Sequence, residues 1–186
     1  MEILDKSKVF EGGIEGAQKE MTKDITDYQA TASTMSEEDL LKDEQELMDK
    51  FKENDEYIKT VNYELPDDVT FEDKKYSASD VSNKIIYFLN NLESKWETTL
   101  GIYQQIRWWK TRKDNKIPYA VLDSTLRTLG TCVFKGETEL RDILIINNYC
   151  SSCSDEYKKD TLWIAYLSQK HNVILTELQK QSKENE

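Results

Sequence analysis

Histidine occurs once in the 186 residues, cysteine three times and glycine six times, and the charge balance lacks an excess of bases. The lone His171 has no serine or cysteine beside it in a recognisable nucleophile motif. A half-buried structural histidine is therefore the plainer reading than a general base. Cys150 and Cys153 form one close-spaced CSSC pair. A zinc site can be drawn with Cys132 and His171 as further ligands, but the usual signature is two such pairs. The CSSC also follows a helical stretch, not a strand-to-helix start, so packing plus a turn is preferred to redox chemistry. The glycines of GGIEG lack the Lys-Ser/Thr ending of a phosphate loop and any strand before it. No Glu-x-x-His pair or EF-hand spacing is present, so the many carboxylates read as a solvated face.

No apolar stretch approaches the roughly 20 residues of a membrane span. The opening MEILDKSKVFEGG holds no apolar run long enough for a signal peptide, and no lipidation signature is seen. Three cysteines fit a reducing compartment. Cytoplasm, or the inside of a virion, is the expected location. A formal net charge of −11 argues against general nucleic-acid binding and against an anionic membrane surface.

Charged residues make up 33% of the chain and hydrophobic ones 38%, with four Trp, ten Tyr and five Phe to supply large apolar areas. That mixture leaves part of the chain expected to be exposed or buried only on a partner. Lysine greatly outnumbers arginine, alanine is sparse, and isoleucine and asparagine are abundant. This bias is shared with AT-rich genomes, many bacteriophages among them.

Helical spacing dominates. Ile14, Ala17, Met21, Ile25 and Tyr28 hold one narrow apolar stripe, following a hinge at Gly12, Gly13 and Gly16. Ser36, followed by Asp39, starts a second helix with Leu40, Leu41, Leu47, Met48, Phe51 and Ile58 on its stripe. Residues 36–56 carry ten acids and three lysines. Residues 63–79 show no helical period and read as an extended connector, a pinned loop in preference to a hairpin. A helix of about 30 residues is then expected from a Ser79 or Asp80 cap to Arg112, with Val81, Ile85, Phe88, Leu89, Leu92, Trp96, Leu100, Tyr103 and Ile106 inward. KDNK is the turn, Pro118 the first turn of the next helix, and Gly130 its end. A further helix from Glu137 turns Leu140, Ile143, Leu144, Ile146 and Cys150 inward. SSCSD breaks it, and a last helix capped by Ser154 turns Leu162, Trp163, Tyr166, Leu167, Ile174 and Leu178 inward before the polar tail at 183–186.

The sharpest change of sign is RWWKTRKDNK, where Arg107, Lys110, Arg112, Lys113 and Lys116 stand against one acid, Asp114. Trp108 and Trp109 are neighbours about 100° apart on a helix, so both can hardly enter one core. A surface Trp beside Arg is a common composition for an interface. The plainer reading puts both indoles over the end of the helical body with the basic side chains turned outward. The acidic helix and this basic tip have complementary signs, within one chain or between copies.

The expected fold class is all-α: a helical bundle of about four helices (80–182), preceded by one or two amphipathic N-terminal helical arms (1–62) and a short extended connector (63–79). The expected function is non-enzymatic, a structural or adaptor component of a larger protein assembly such as a phage or virion accessory protein. Its partner contacts are assigned to Arg107, Trp108, Trp109, Lys110, Arg112 and Lys113, and to the arm residues Ile14, Met21, Ile25 and Tyr28. Partners are proteins, among them copies of itself or other subunits; no cofactor, metal or small-molecule substrate is expected. The alternative is an acidic inhibitor that imitates DNA in the basic groove of a nucleic-acid enzyme.

Overall fold

A computed structural model describes residues 1–92 and 100–184. The chain is mostly helical with a few short strands: α1 (Lys6–Val9), α2 (Ile14–Ala32), α3 (Glu37–Ile58), β1 (Asn62–Glu64), β2 (Asp68–Phe71), β3 (Lys74–Ser77), α4 (Ala78–Asn90), α5 (Ile102–Thr111), β4 (Lys116–Pro118), α6 (Tyr119–Leu129), α7 (Glu137–Cys150) and α8 (Ser154–Glu184). It divides into two compact units, a terminal unit of residues 1–57 with 158–186 and a central unit of residues 58–157. This division differs from the expected one of arms at 1–62 and a bundle at 80–182. The physical reason lies in the stripe of the last helix, which needs α1, α2 and α3 to cover it.

In the terminal unit, Ala17, Met21, Tyr28 and Ala32 of α2 and Leu40 and Leu47 of α3 share one core with Trp163, Tyr166, Leu167 and Ile174 of α8. Ala17 and Ala32 are wholly buried, and their small side chains let the helices approach closely. Val9 and Phe10 close the same core, with Ile25 and Phe51 packed at its margin. The narrow seam of α2 is thus completed within its own unit. Gly13, at φ +92, takes the left-handed backbone that lets the chain turn from α1 into α2. Ser36 and Asp39 bond as the sequence suggests, the hydroxyl accepting from the Asp39 amide.

A polar cluster runs through this core. Lys170, on the inward stripe of α8, is 1% exposed, with its ammonium 2.6 Å from Asp24 Oδ2 and 2.6 Å from the Glu2 carbonyl. It also lies over the rings of Tyr28 and Tyr166. Tyr166 donates to Asp24 and accepts from the Leu4 amide. Tyr28 donates to Asp43 at 2.7 Å, while the other Asp43 oxygen accepts from the Met1 ammonium at 2.8 Å. Each polar group of this set has partners, which is what permits its burial.

The central unit departs from the expected pattern at several points. The connector is no plain loop: β2 and β3 form a hairpin, paired Val69 to Tyr76, and β1 pairs antiparallel with β4, Tyr63 opposite Ile117. Glu72 and Asp73 both have positive φ (48° and 62°), the backbone a two-residue hairpin turn requires. KDNK therefore leads into a strand, and Pro118 caps α6 from an extended conformation instead of occupying its first turn. Ser77, not Ser79 or Asp80, caps α4; Asp80 supplies the reciprocal side chain of a capping box. The expected 30-residue helix is interrupted. Asn91 leaves helical backbone angles and Gly101 sits at φ +68, which no right-handed helix accommodates. The expectation that Trp96 faces inward lies outside the described residues.

Two helical faces are also rotated from those expected. On α7, Ile143, Ile145, Ile146 and Tyr149 are buried, whereas Leu140 and Leu144 are exposed. Tyr103 of α5, expected inward, is 90% exposed. Once a helix starts at Gly101 its phase is independent of α4, and the buried positions become Gln105 and Trp109. Leu41 and Met48 of α3 likewise face outward.

Two outcomes test the terminal unit. Lys170→Met keeps the length of the stem but leaves the Asp24 carboxylate and the Glu2 carbonyl without their cation, and should lower folding stability by about 3 kcal/mol in chemical denaturation. Burial, and then the bonds to Asp43 and Asp24, push the Tyr28 and Tyr166 phenols above their ordinary value of 10.0. The folded chain keeps both protons while the unfolded chain loses them. Stability that is complete below pH 10 should therefore fall as pH rises beyond it, read as a falling melting temperature.

Candidate docking face

The basic segment spans α5 and the turn after it, and its side chains part in two directions. Trp109 is buried and donates its indole N–H to Thr125 Oγ1 at 3.1 Å. Arg112 also turns inward: Nη2 donates to the Ala78 carbonyl at 2.8 Å and to Tyr149 Oη at 3.1 Å. Its guanidinium lies 5.1 Å from the Trp109 ring centre and 5.8 Å from that of Tyr149. Arg112 thus ties α5 to the start of α4 and to α7, and its Nη1 is buried with no hydrogen-bond partner. Two of the six residues assigned to contact on α5 and its turn, Trp109 and Arg112, are therefore structural members of the central unit. Trp108 is half-buried, edge-on to Trp109 with ring centres 4.9 Å apart.

Outward, the helix carries Tyr103, Arg107 and Lys110 at steps of four and three, one continuous stripe. Lys113 and Lys116 follow, both exposed. None of Arg107, Lys110, Lys113 and Lys116 has a carboxylate partner among the described residues. Other bases of the central unit are paired: Lys75 with Asp68, Lys84 with Asp142, Arg127 with Asp123 and Arg141 with Glu72. The α5 stripe is a concentration of positive charge, uncompensated among the described residues, that ends in an exposed aromatic ring. Charge is also unevenly divided: the terminal unit holds 12 basic and 21 acidic residues, net −9, and the central unit 13 and 15, net −2.

The other assigned residues lie elsewhere. Met21 and Tyr28 are buried in the core of the terminal unit, Ile25 packs against it, and Ile14 is half-buried. Their stripe is occupied by the chain's own α8, so it offers no open seam to a partner. Tyr103 was not among the contact residues. Its spacing to Arg107 and Lys110 was legible once the helix was started at Gly101. Lys170 carries a signal of its own in the sequence, a lysine four residues after Tyr166 and four before Ile174 that interrupts an apolar stripe.

Residues that bear on catalysis are held in ordinary packing. His171 Nε2 lies 3.2 Å from Glu44 Oε1, with its ring edge-on to Phe51. His171 belongs to the terminal unit, Cys132, Cys150 and Cys153 to the central one. Burial pushes the Cys150 thiol up to about 12, and the same cause raises Cys153 and Cys132. A thiol so held carries almost no thiolate near neutrality. Among the described residues no group of three His, Cys, Asp or Glu side chains could hold a metal ion, and no helix is long and apolar enough to cross a membrane.

Alkylation checks this arrangement. In the folded protein at mildly alkaline pH, iodoacetamide should label the half-exposed Cys132 slowly and leave Cys150 and Cys153 unmodified. Denaturant should release all three, counted by intact mass. No protein-family model, curated protein or solved structure matches the chain, so its reading rests on these contacts.

Proposed function

We propose that this chain is a non-enzymatic helical binding component of a larger protein assembly, docking through the outward stripe of α5 onto an acidic helical surface. One observation carries the reading. Tyr103, Arg107 and Lys110 stand in line, exposed and with no carboxylate partner among the described residues, in a protein whose net charge is −11. Four cations within ten residues, with no carboxylate partner among the described residues, repel one another, and a folded chain gains nothing from that repulsion. An acidic partner removes that repulsion, and the Tyr103 ring supplies a rigid apolar contact at small entropic cost. Anchoring by Trp109 and Arg112 fixes the helix before a partner arrives, which lowers the ordering cost of binding. The lysine-rich, arginine-poor composition favours a phage or virion accessory component as the setting.

The probe is a glutamate-rich amphipathic helical peptide, followed through the fluorescence of Trp108 beside the face. Binding should weaken steeply as salt rises. Arg107→Glu with Lys110→Glu should abolish it while leaving the helical circular dichroism unchanged. Tighter binding of a single-stranded oligonucleotide than of the peptide would overturn the protein reading, since stacking on Tyr103 would then be the better account.

The net charge of −9 on the terminal unit favours a second reading, an acidic inhibitor that fills a basic groove. In the same titration series such a protein should displace duplex DNA from a basic DNA-binding protein, independently of Arg107 and Lys110.

A further inference from the structure

We infer that the acidic surface received by the α5 stripe is the outer face of α3 on a second copy of this chain, an inference that rests on the docking reading above. The outer line of α3 runs Glu37, Leu41, Met48 and Asp55, at steps of four, seven and seven. Leu41 and Met48 are exposed, and Glu37, Glu38 and Asp55 form no ion pair among the described residues. The remaining acids of the helix are largely engaged: Asp43 with Tyr28 and Met1, Glu44 with His171, Glu53 with Lys50. The face therefore offers an apolar centre with free carboxylates at both ends.

The α5 stripe is its counterpart. From Tyr103 to Lys110 is seven residues, as from Leu41 to Met48, and each span rises about 10.5 Å along its helix. A ring at one end of α5 meets the apolar centre of α3 while Arg107 and Lys110 reach a carboxylate end. Both chain directions satisfy this, because α3 has an acid at either end.

Magnitude decides how strong the contact is. One helix laid on another buries less than the roughly 1,200 Å² of a stable complex. Association is accordingly weak, roughly micromolar to millimolar. Two copies of net charge −11 also repel at long range. At physiological salt that repulsion is screened beyond about 8 Å, whereas side chains in contact keep their attraction. Self-association is thus expected to peak at moderate salt and to fall at both extremes. The contact joins unlike faces, so it is heterologous and leaves one copy with a free α3 face and the other with a free α5 face.

The test uses full-length protein and two double variants, Arg107→Glu/Lys110→Glu and Glu37→Lys/Asp55→Lys, with weight-average mass measured by sedimentation across concentration and salt. Each variant alone presents like charges on both faces and should associate roughly tenfold or more weakly than the unmodified chain. Mixed in equal amounts, the acidic α5 of one meets the basic α3 of the other, and association should return. Unchanged circular dichroism shows that each remains folded. A chain that stays monomeric under every condition while still binding the glutamate-rich peptide overturns this inference and leaves the docking reading standing. Loss of both overturns both. Self-association that neither variant weakens, or a mixture that fails to recover it, also overturns the inference.

Discussion

The terminal unit depends on an ammonium group kept from water. Lys170 sits among Trp163, Tyr166, Leu167 and Ile174 on the inward side of α8, where an isolated charge would be prohibitive. Asp24 from α2, the Glu2 carbonyl and the faces of Tyr28 and Tyr166 surround it, so three separated parts of the chain are tied to one point. A purely apolar contact would tolerate sliding of α8 along α2. A buried cation with fixed acceptors does not, because every shift leaves an unpaired charge. The register of α8 against α2 is thereby specified by chemistry as much as by packing.

The same logic operates with weaker groups in the central unit. Arg112 joins the start of α4 to Tyr149 of α7 and to the Trp109 ring, and Trp109 is bonded in turn to Thr125 of α6. Its guanidinium, planar and weakly hydrated, suits a half-buried position among rings better than a lysine would. The consequence is a division of labour within a single ten-residue helix. One side is committed to the fold, while the other carries charges that pair with no carboxylate among the described residues.

Much of the helical content was legible because apolar periodicity is a strong signal over long stretches. The stripes of α2 and α8 are legible from spacing alone, and α6 and α7 meet their expected bounds at Gly130 and Glu137, whereas Ser154, expected as the cap of the last helix, is the first residue of α8 with helical backbone angles. What spacing could not supply was the partner of each stripe. The seam of α2 is too narrow for an isolated helix, and without coordinates an outside protein and the chain's own α8 are equivalent coverings. The break at Gly101 is not legible in the sequence, because a glycine inside an apolar period resembles a tolerated interruption until its φ is known. The new phase that it starts turns Tyr103 to the opposite side from the one expected. The hairpin of β2 and β3 was concealed for another reason: Glu72 and Asp73 adopt turn angles usually signalled by Asn-Gly, so the usual marker was absent.

The two halves of the terminal unit are separated in sequence by the whole of the central unit. Residues 1–57 emerge from the ribosome long before Trp163, Tyr166 and Lys170, the groups their apolar stripe and acceptors are shaped for. Closure of that unit is a high-separation event, slow compared with the local contacts of residues 58–157. The intervening segment is thus free to fold first, and the leading helices wait with their seam exposed. In that interval the nascent chain presents an uncovered apolar seam of Met21, Tyr28, Leu40 and Leu47, the kind of surface that a chaperone receives.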